Sequence, residues 1–315
     1  MIVPAFNRCG MLPEAIDSVL AQSYRPIEVI LINDGSDDGT WTLMQSLAQK
    51  YPGMIHAWRQ ENAGPGAARN LGLTMARGEY IQYLDSDDLL EPEKFEVQIR
   101  ALQANPDAAL AYGETQRIDT ASGQSRVWAR TSEDIDDIFP SFLMKRGWDT
   151  NAPLWRRTAC EELAPWLPLR CMEDWEHDVR AGLLGMKAVR VPNHVATVRD
   201  HQDERASAMN SGLTAAHLKD TFLAHASIWR LMKRMGRDAG DYMQPFARKV
   251  FALARDLARF GLREDADAAL AMAVEMSRRS SGGVDVAFFL AARKLFGWKG
   301  ALFAGDLLRR HLPGR

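Results

Sequence analysis

The first 90 residues alternate apolar segments of strand length with amphipathic segments of helix length, an alternation that few folds accommodate. Strands separated by helices pair in parallel, and the helices cover the faces of the sheet they form. MIVPAF (1–6) reads as the end of a strand. In LPEAIDSVLAQS (12–23), Leu12, Ala15, Ile16, Val19 and Leu20 fall on one helical face. IEVILIND (27–34) shows little alternation, as a strand buried on both faces should. A helix over 40–51, a short strand over 54–60, a helix approached through glycines over 64–76 and a strand over 80–88 complete the series.

Beyond residue 100 the pattern loosens. AALAYGETQRID (108–119) and TASGQSRVW (120–128) read as two strands around a turn, which adds an antiparallel element to a mostly parallel sheet. CMEDWEHDVRAGLLG (171–185) reads as a helix and AVRVPNHVATVRD (188–200) as extended chain. From about residue 213 the chain turns helical, with Phe246, Val250, Leu253, Leu257 and Phe260 at helical spacing. SAMNSGL (207–213) is a plausible linker, giving an α/β domain over 1–210 and a helical region over 211–315.

The net charge of −2 hides an asymmetry, with residues 229–315 at +8 and the remainder at −10. The acidic front disfavours a nucleic-acid partner, whose phosphates it would repel. Cys9, Cys160 and Cys171 are odd in number and widely spaced, which fits reduced thiols in a cytoplasmic protein. No signal-peptide pattern opens the chain, and no apolar run reaches the roughly 20 residues of a membrane span.

Ligands of open α/β sheets bind outside the carboxyl ends of the strands. There the sequence places Asn7, then Asn33 and Asp34, then Asn62, then Asp85, Asp87 and Asp88. Crowded carboxylates favour a cation or protonation. Hard oxygen ligands suit Mg²⁺ or Mn²⁺, and one or two carboxylates suffice when substrate phosphates complete the shell. The competing reading makes Asp87 or Asp88 the N-cap of a helix starting near Pro92.

VPAFN, LINDGSDDGT, NAGPGAARNLG and YLDSDD occur in that order, followed by EDW at 173–175. Together they resemble the family 2 glycosyltransferases, inverting enzymes with the GT-A fold, over residues 1–207. The resemblance implies transfer of a sugar from a nucleoside diphosphate sugar, UDP-sugar first and dTDP-sugar second, to a hydroxyl acceptor. That acceptor would be a saccharide or lipid-linked saccharide in polysaccharide or glycoconjugate biosynthesis. By the same resemblance Pro4, Ala5 and Asn7 line the nucleotide pocket and Asp34 reads the base. Gly64, Gly66, Arg69 and Asn70 face the diphosphate or sugar. Asp85, with Ser86 beside it, contacts ribose or sugar, and Asp87 ligates the metal, with Asp88 a further candidate. Asp174, with Glu173 as the fallback, is the base that takes the acceptor proton. Arg199 and His201, after the last strand, stand where the family places groups near metal and diphosphate.

Departures accompany the resemblance. Only Met1, Ile2 and Val3 precede Pro4, so upstream residues of the first strand are expected to be missing, and APWLPLRC (164–171) lacks the glycine and acidic residues often seen there. Trp148, Trp155, Trp166 and Trp175 could line an acceptor groove or pack in the core. The C-terminal helices carry Arg293, Lys294, Lys299, Arg309 and Arg310 beside apolar residues. They could lie peripherally on the inner face of a membrane, pack on the catalytic domain or form a homodimer. Rival readings are a catalytically inactive nucleotide-binding module and a nucleotidyltransferase, although VPAFNRCG does not resemble the glycine-rich basic loop of the latter.

Overall fold

The computed structural model describes residues 1–128, 130–163, 165–200, 213–279 and 287–311. They divide into two compact units, one within residues 1–211 and one within 212–315.

In the first unit β1 (Ile2–Ala5), β2 (Val29–Asp34) and β3 (Ile55–Gln60) pair in parallel, with Pro4 opposite Ile32 and Ala5 opposite Asn33. Every residue of β2 is buried, which explains its lack of alternation. The crossovers are α1 (Leu12–Leu20), α2 (Thr40–Lys50) and α3 (Pro65–Met75), and α1 buries Leu12, Ala15, Ile16 and Val19 as its spacing predicts. A parallel bridge from Ile2 to Tyr83 continues the order past β1 to β4 (Tyr80–Gln82).

Past β4 the pairing becomes mixed. β5 (Leu89–Leu90), α4 (Lys94–Ala104), β6 (Ala108–Asp119), β7 (Ser125–Val127), β8 (Leu154–Arg156), α5 (Arg157–Leu163), α6 (Glu173–Leu183) and β9 (Lys187–Asp200) follow in the chain. The sheet runs β4-β8-β6-β9-β5; β6 and β9 are parallel, and the other contacts along it are antiparallel. The expected antiparallel element is the β6–β7 hairpin. Trp148, Trp155, Trp166 and Trp175 are at most 4% exposed, so core packing claims all of them.

The glycines ahead of and inside α3 allow a close backbone approach. A Cβ at Gly66 would lie 2.3 Å from the Leu167 carbonyl oxygen, and one at Gly64 would lie 3.1 Å from that of Leu169. The segment before α6 is thereby held against the start of α3.

The second unit contains α7 (Ala215–Arg234), α8 (Met243–Arg259), α9 (Arg263–Arg278) and α10 (Ala287–His311). Thr214 caps α7 by accepting from the His217 N–H. Phe246, Val250, Leu253 and Leu257 are buried together with Ile228, Met232, Leu270 and Met276. Phe260 departs from its expected core role: it follows the last turn of α8 and is 46% exposed. Gly297, at φ 64°, interrupts α10.

Because the obstacle at Gly66 is backbone, no side chain can give way. Gly66→Ala is expected to lower stability by about 1–3 kcal/mol through overpacking. Gly10→Ala, whose Cβ would meet nothing within 4 Å, should change it by less than about 0.5 kcal/mol. Urea unfolding of both variants beside the wild type checks this, and equal midpoints would refute the close approach.

Candidate active site

The ends of β1 and β2 are joined by their own polar side chains. Asn7 adopts φ 52°; its N–H donates to Ser36 Oγ at 3.0 Å, and its Oδ1 accepts from the Asp37 N–H at 3.1 Å. Pro4 and Ala5 are buried in β1 immediately before it. Asp34, 4% exposed, accepts from Gln60 Nε2 at 2.7 Å and from the N–H groups of Ala63 and Gly64 at 2.9 Å each. Its carboxylate therefore orders the approach to α3, and an open recess beside it is lined by Gly35, Arg59, Gln60, Glu61 and Asn62.

Arg69 turns inward from α3. It is 3% exposed, donates to Glu173 Oε1 at 2.7 Å and Asp85 Oδ1 at 2.8 Å, and lies 4.6 Å from the centre of the Trp166 ring. Where the sequence expected a diphosphate or sugar before it, the structure gives it two carboxylates and an indole. Asn70 holds the same indole residue by its backbone, donating to Trp166 O at 2.9 Å and accepting from Trp166 N–H at 2.8 Å.

Beyond β4, after Tyr83 and Leu84, Asp85 to Asp88 form a turn closed by Asp88 N–H donating to Asp85 O at 3.1 Å. Neither Asp87 nor Asp88 caps α4, whose N-cap is Glu93, so that reading fails. Asp85 keeps 34% side-chain exposure. Burial raises its carboxyl above the ordinary carboxylate range; Arg69 opposes the rise and Asp87 adds to it. Asp87 is 17% exposed and lies 3.4 Å from Arg8 Nε, while Ser86 is buried between the two aspartates. Asp88 faces inward, accepting from Asn151 Nδ2 and the Arg199 N–H at 2.8 Å each. Burial and the neighbouring Asp87 and Asp85 charges push its carboxyl well up. Arg199 also donates through Nε to Asp87 O at 2.5 Å. His201 lies outside the described residues.

The acidic pair opens α6. Glu173 is turned into the core on Arg69, and burial with the adjacent Asp174 charge raises its carboxyl to about 7 despite that cation. Asp174 retains 31% side-chain exposure, accepts from the Trp175 N–H at 2.6 Å and pairs with Arg146. Arg146 also donates to Asp178 Oδ2 at 2.6 Å, which in turn accepts from Trp148 Nε1 at 3.0 Å. Sequence reasoning missed Arg8, Arg146 and Asn151. Arg8 adjoins the first motif and could have been read with it; no local pattern marks the other two.

The model of glycosyl transferase family 2 matches residues 1–157. An uncharacterized glycosyltransferase of Rickettsia bellii is 40% identical over 120 residues, covering 38% of this chain and 17% of that protein. One from Haemophilus influenzae is 36% identical over 136 residues, 43% of this chain and 54% of the other. The minor teichoic acid biosynthesis protein GgaB of Bacillus subtilis is 42% identical over 98 residues, 30% of this chain and 11% of GgaB. The chain belongs to the family 2 glycosyltransferases. It spans at most about half the length of these relatives. The crystal structure of S. aureus TarS 1-349 in complex with UDP-GlcNAc superposes with a TM-score of 0.73 at 15% identity, covering 100% of this chain and 92% of that one. The fold is GT-A.

In this family 2 chain the raised Glu173 carboxyl links stability to pH. A carboxyl that holds its proton to about pH 7 when folded but to about 4.3 when unfolded favours the folded state at low pH and loses that contribution as pH rises between those values. The stability of the wild type relative to Glu173→Gln should therefore fall from pH 5 to pH 8, by about 1–3 kcal/mol. Thermal unfolding of both proteins across this range tests the linkage; parallel pH profiles would refute it.

Proposed function

We propose that this protein transfers a sugar, with inversion, from a nucleoside diphosphate sugar to an acceptor hydroxyl. The observation that carries this reading is Arg69 binding Asp85 and Glu173 at once, which joins the D-S-D turn to the E-D pair. Donor-side and acceptor-side carboxylates of an inverting transferase need that proximity. Asp174 is the better base because its carboxylate is partly accessible while Glu173 is engaged on Arg69. It takes the proton from the acceptor hydroxyl as that oxygen bonds to the anomeric carbon and the nucleoside diphosphate leaves. Arg146 keeps the Asp174 carboxylate oriented before the acceptor arrives.

The donor set of the turn fits a hard divalent cation. Asp87 offers carboxylate oxygen at its rim, and the Asp85 carboxyl is burdened by its neighbour's charge, which a cation would relieve. Asp87, with His201 as a further candidate, would hold Mg²⁺ or Mn²⁺, and the ion would supply positive charge for the departing diphosphate. Among the described residues no cluster of three or more His, Cys, Asp or Glu side chains that could hold a metal ion is present.

UDP-sugar is the first candidate donor, a choice supported by the likeness to TarS solved with UDP-GlcNAc and with UDP. A polysaccharide of teichoic acid type is the first candidate acceptor, by similarity to GgaB. On α10, Leu295, Phe296 and Phe303 are 70–74% exposed beside exposed Lys294 and Lys299. That mixture of exposed apolar and basic groups supports peripheral contact with an anionic membrane, where lipid-linked acceptors reside. No described helix is long and apolar enough to cross one.

Calorimetric titration of UDP, dTDP and GDP with and without Mn²⁺ tests the donor site. One nucleotide should bind with metal, and Asp87→Asn should abolish that binding. Asp174→Asn should keep nucleotide affinity within about threefold while slowing transfer by about 10²–10⁴-fold. A folded wild type that binds none of the three nucleotides would sink the reading, and nucleotide binding without turnover would favour the inactive module. For α10, Phe296→Ser with Phe303→Ser should reduce cosedimentation with phosphatidylglycerol vesicles, and equal recovery on phosphatidylcholine vesicles would remove the membrane assignment.

A further inference from the structure

Behind the D-S-D-D turn lies a fully buried polar segment that the catalytic scheme does not use. Asn151, 0% exposed, accepts through Oδ1 from the Asp85 N–H at 2.8 Å and donates through Nδ2 to Asp88 Oδ2 at 2.8 Å. Its own backbone is fixed on both sides. The N–H donates to Asp149 Oδ1 at 2.8 Å, and the carbonyl accepts at 2.9 Å from Gln82 Nε2 on β4. The next carbonyl, Ala152 O, accepts from Lys94 Nζ and Gln98 Nε2 at 2.8 Å each. Asn151 is thus held in place by β4 and α4 while its carboxamide spans the turn from first residue to last.

We propose that Asn151 is a positioning residue for the metal-bearing turn, setting through the Asp85 backbone and the Asp88 carboxylate the direction in which the Asp85 and Asp87 side chains leave it. The inference rests on the glycosyltransferase function proposed above. A primary carboxamide suits the place because it presents one acceptor and one donor in a single plane. Aspartate would set two carboxylates face to face, and serine is too short to reach both ends. Asn151 touches neither the metal-ligating carboxylate nor any reacting atom. It acts as outer-shell partners of metal ligands do, by orienting groups that themselves bind.

A reciprocal exchange tests this. Asn151→Asp opposes Asp88 with a second carboxylate, and Asp88→Asn opposes the Asn151 amide with a second amino group. Combined, Asp88→Asn with Asn151→Asp remakes every bond: the new carboxylate accepts from Asp85 N–H and from the new amide, whose oxygen accepts from Arg199 N–H. The measurement is the Mn²⁺ concentration giving half-maximal binding of UDP, or of dTDP or GDP if one of these is the nucleotide bound. Each single variant is expected to raise it by about 10–100-fold, and the double variant to return it to within about threefold of wild type through coupling of the two sites. A residue serving only stability would move the melting temperature and leave this concentration unchanged. Folded single variants with the wild-type Mn²⁺ requirement overturn the inference, as does a double variant no better than the singles. Should a single variant not fold, the double variant decides alone, by a wild-type or a weakened requirement. A wild type that binds no nucleotide overturns both this inference and the function beneath it, whereas wild-type binding unaffected by the exchange overturns the inference only.

Discussion

The buried guanidinium of Arg69 is the interaction on which the rest of the site depends. Removing such a charge from water costs several kcal/mol, and it is tolerated only with close counter-charges in good geometry. Asp85 and Glu173 supply them, and the Trp166 face covers the cation from one side. Trp166 is fixed in turn by Asn70 on its backbone and by His177, stacked at 3.8 Å between ring centroids and 10° between planes. Burial pushes the His177 imidazole down to about 4, so at neutral pH it stacks as an uncharged ring and adds no second cation beneath Arg69. Segments distant in the chain are thereby locked into one body before any substrate arrives.

Around that lock the carboxylates divide by exposure. Asp34, Asp88 and Glu173 point inward and spend their oxygens on backbone N–H groups, an amide and Arg69. Asp85, Asp87 and Asp174 stay partly accessible, each beside an arginine that is itself mostly buried. So much negative charge in one place would drive the turn apart were each inward carboxylate not satisfied locally. The outward carboxylates are left at the surface of the site.

Much of this was legible in the sequence, for physical reasons that also set the limit. The missing alternation of β2 and the spacing of Leu12, Ala15, Ile16 and Val19 report burial directly, so the strand and the helix face followed. The motifs at the strand ends marked where carboxylates gather, since that is a matter of chain position. What a side chain faces there is set by partners far along the chain. Nothing local announces that Arg69 meets Glu173 104 residues later, or that Asn151 reaches back 66 residues to Asp85. The same blindness made Phe260 look like core, because helical spacing continues past the point where α8 ends.

The glycines before α3 show how one local pattern can serve a different end. A glycine-rich helix start is a ready site for a diphosphate because its N–H groups are free and the dipole favours negative charge. Here the Ala63 and Gly64 N–H groups already donate to Asp34, and the Leu167 and Leu169 carbonyls lie over Gly66 and Gly64. The first of these contacts occupies donors a phosphate would use, and the second sets carbonyl oxygen against the helix start. Arg8 and Arg199 flank the turn, and Asp87 is the carboxylate there proposed to hold a cation. The glycines instead fix the loop that carries Trp166, and through it Arg69, so their contribution reaches the reacting groups by packing rather than by contact.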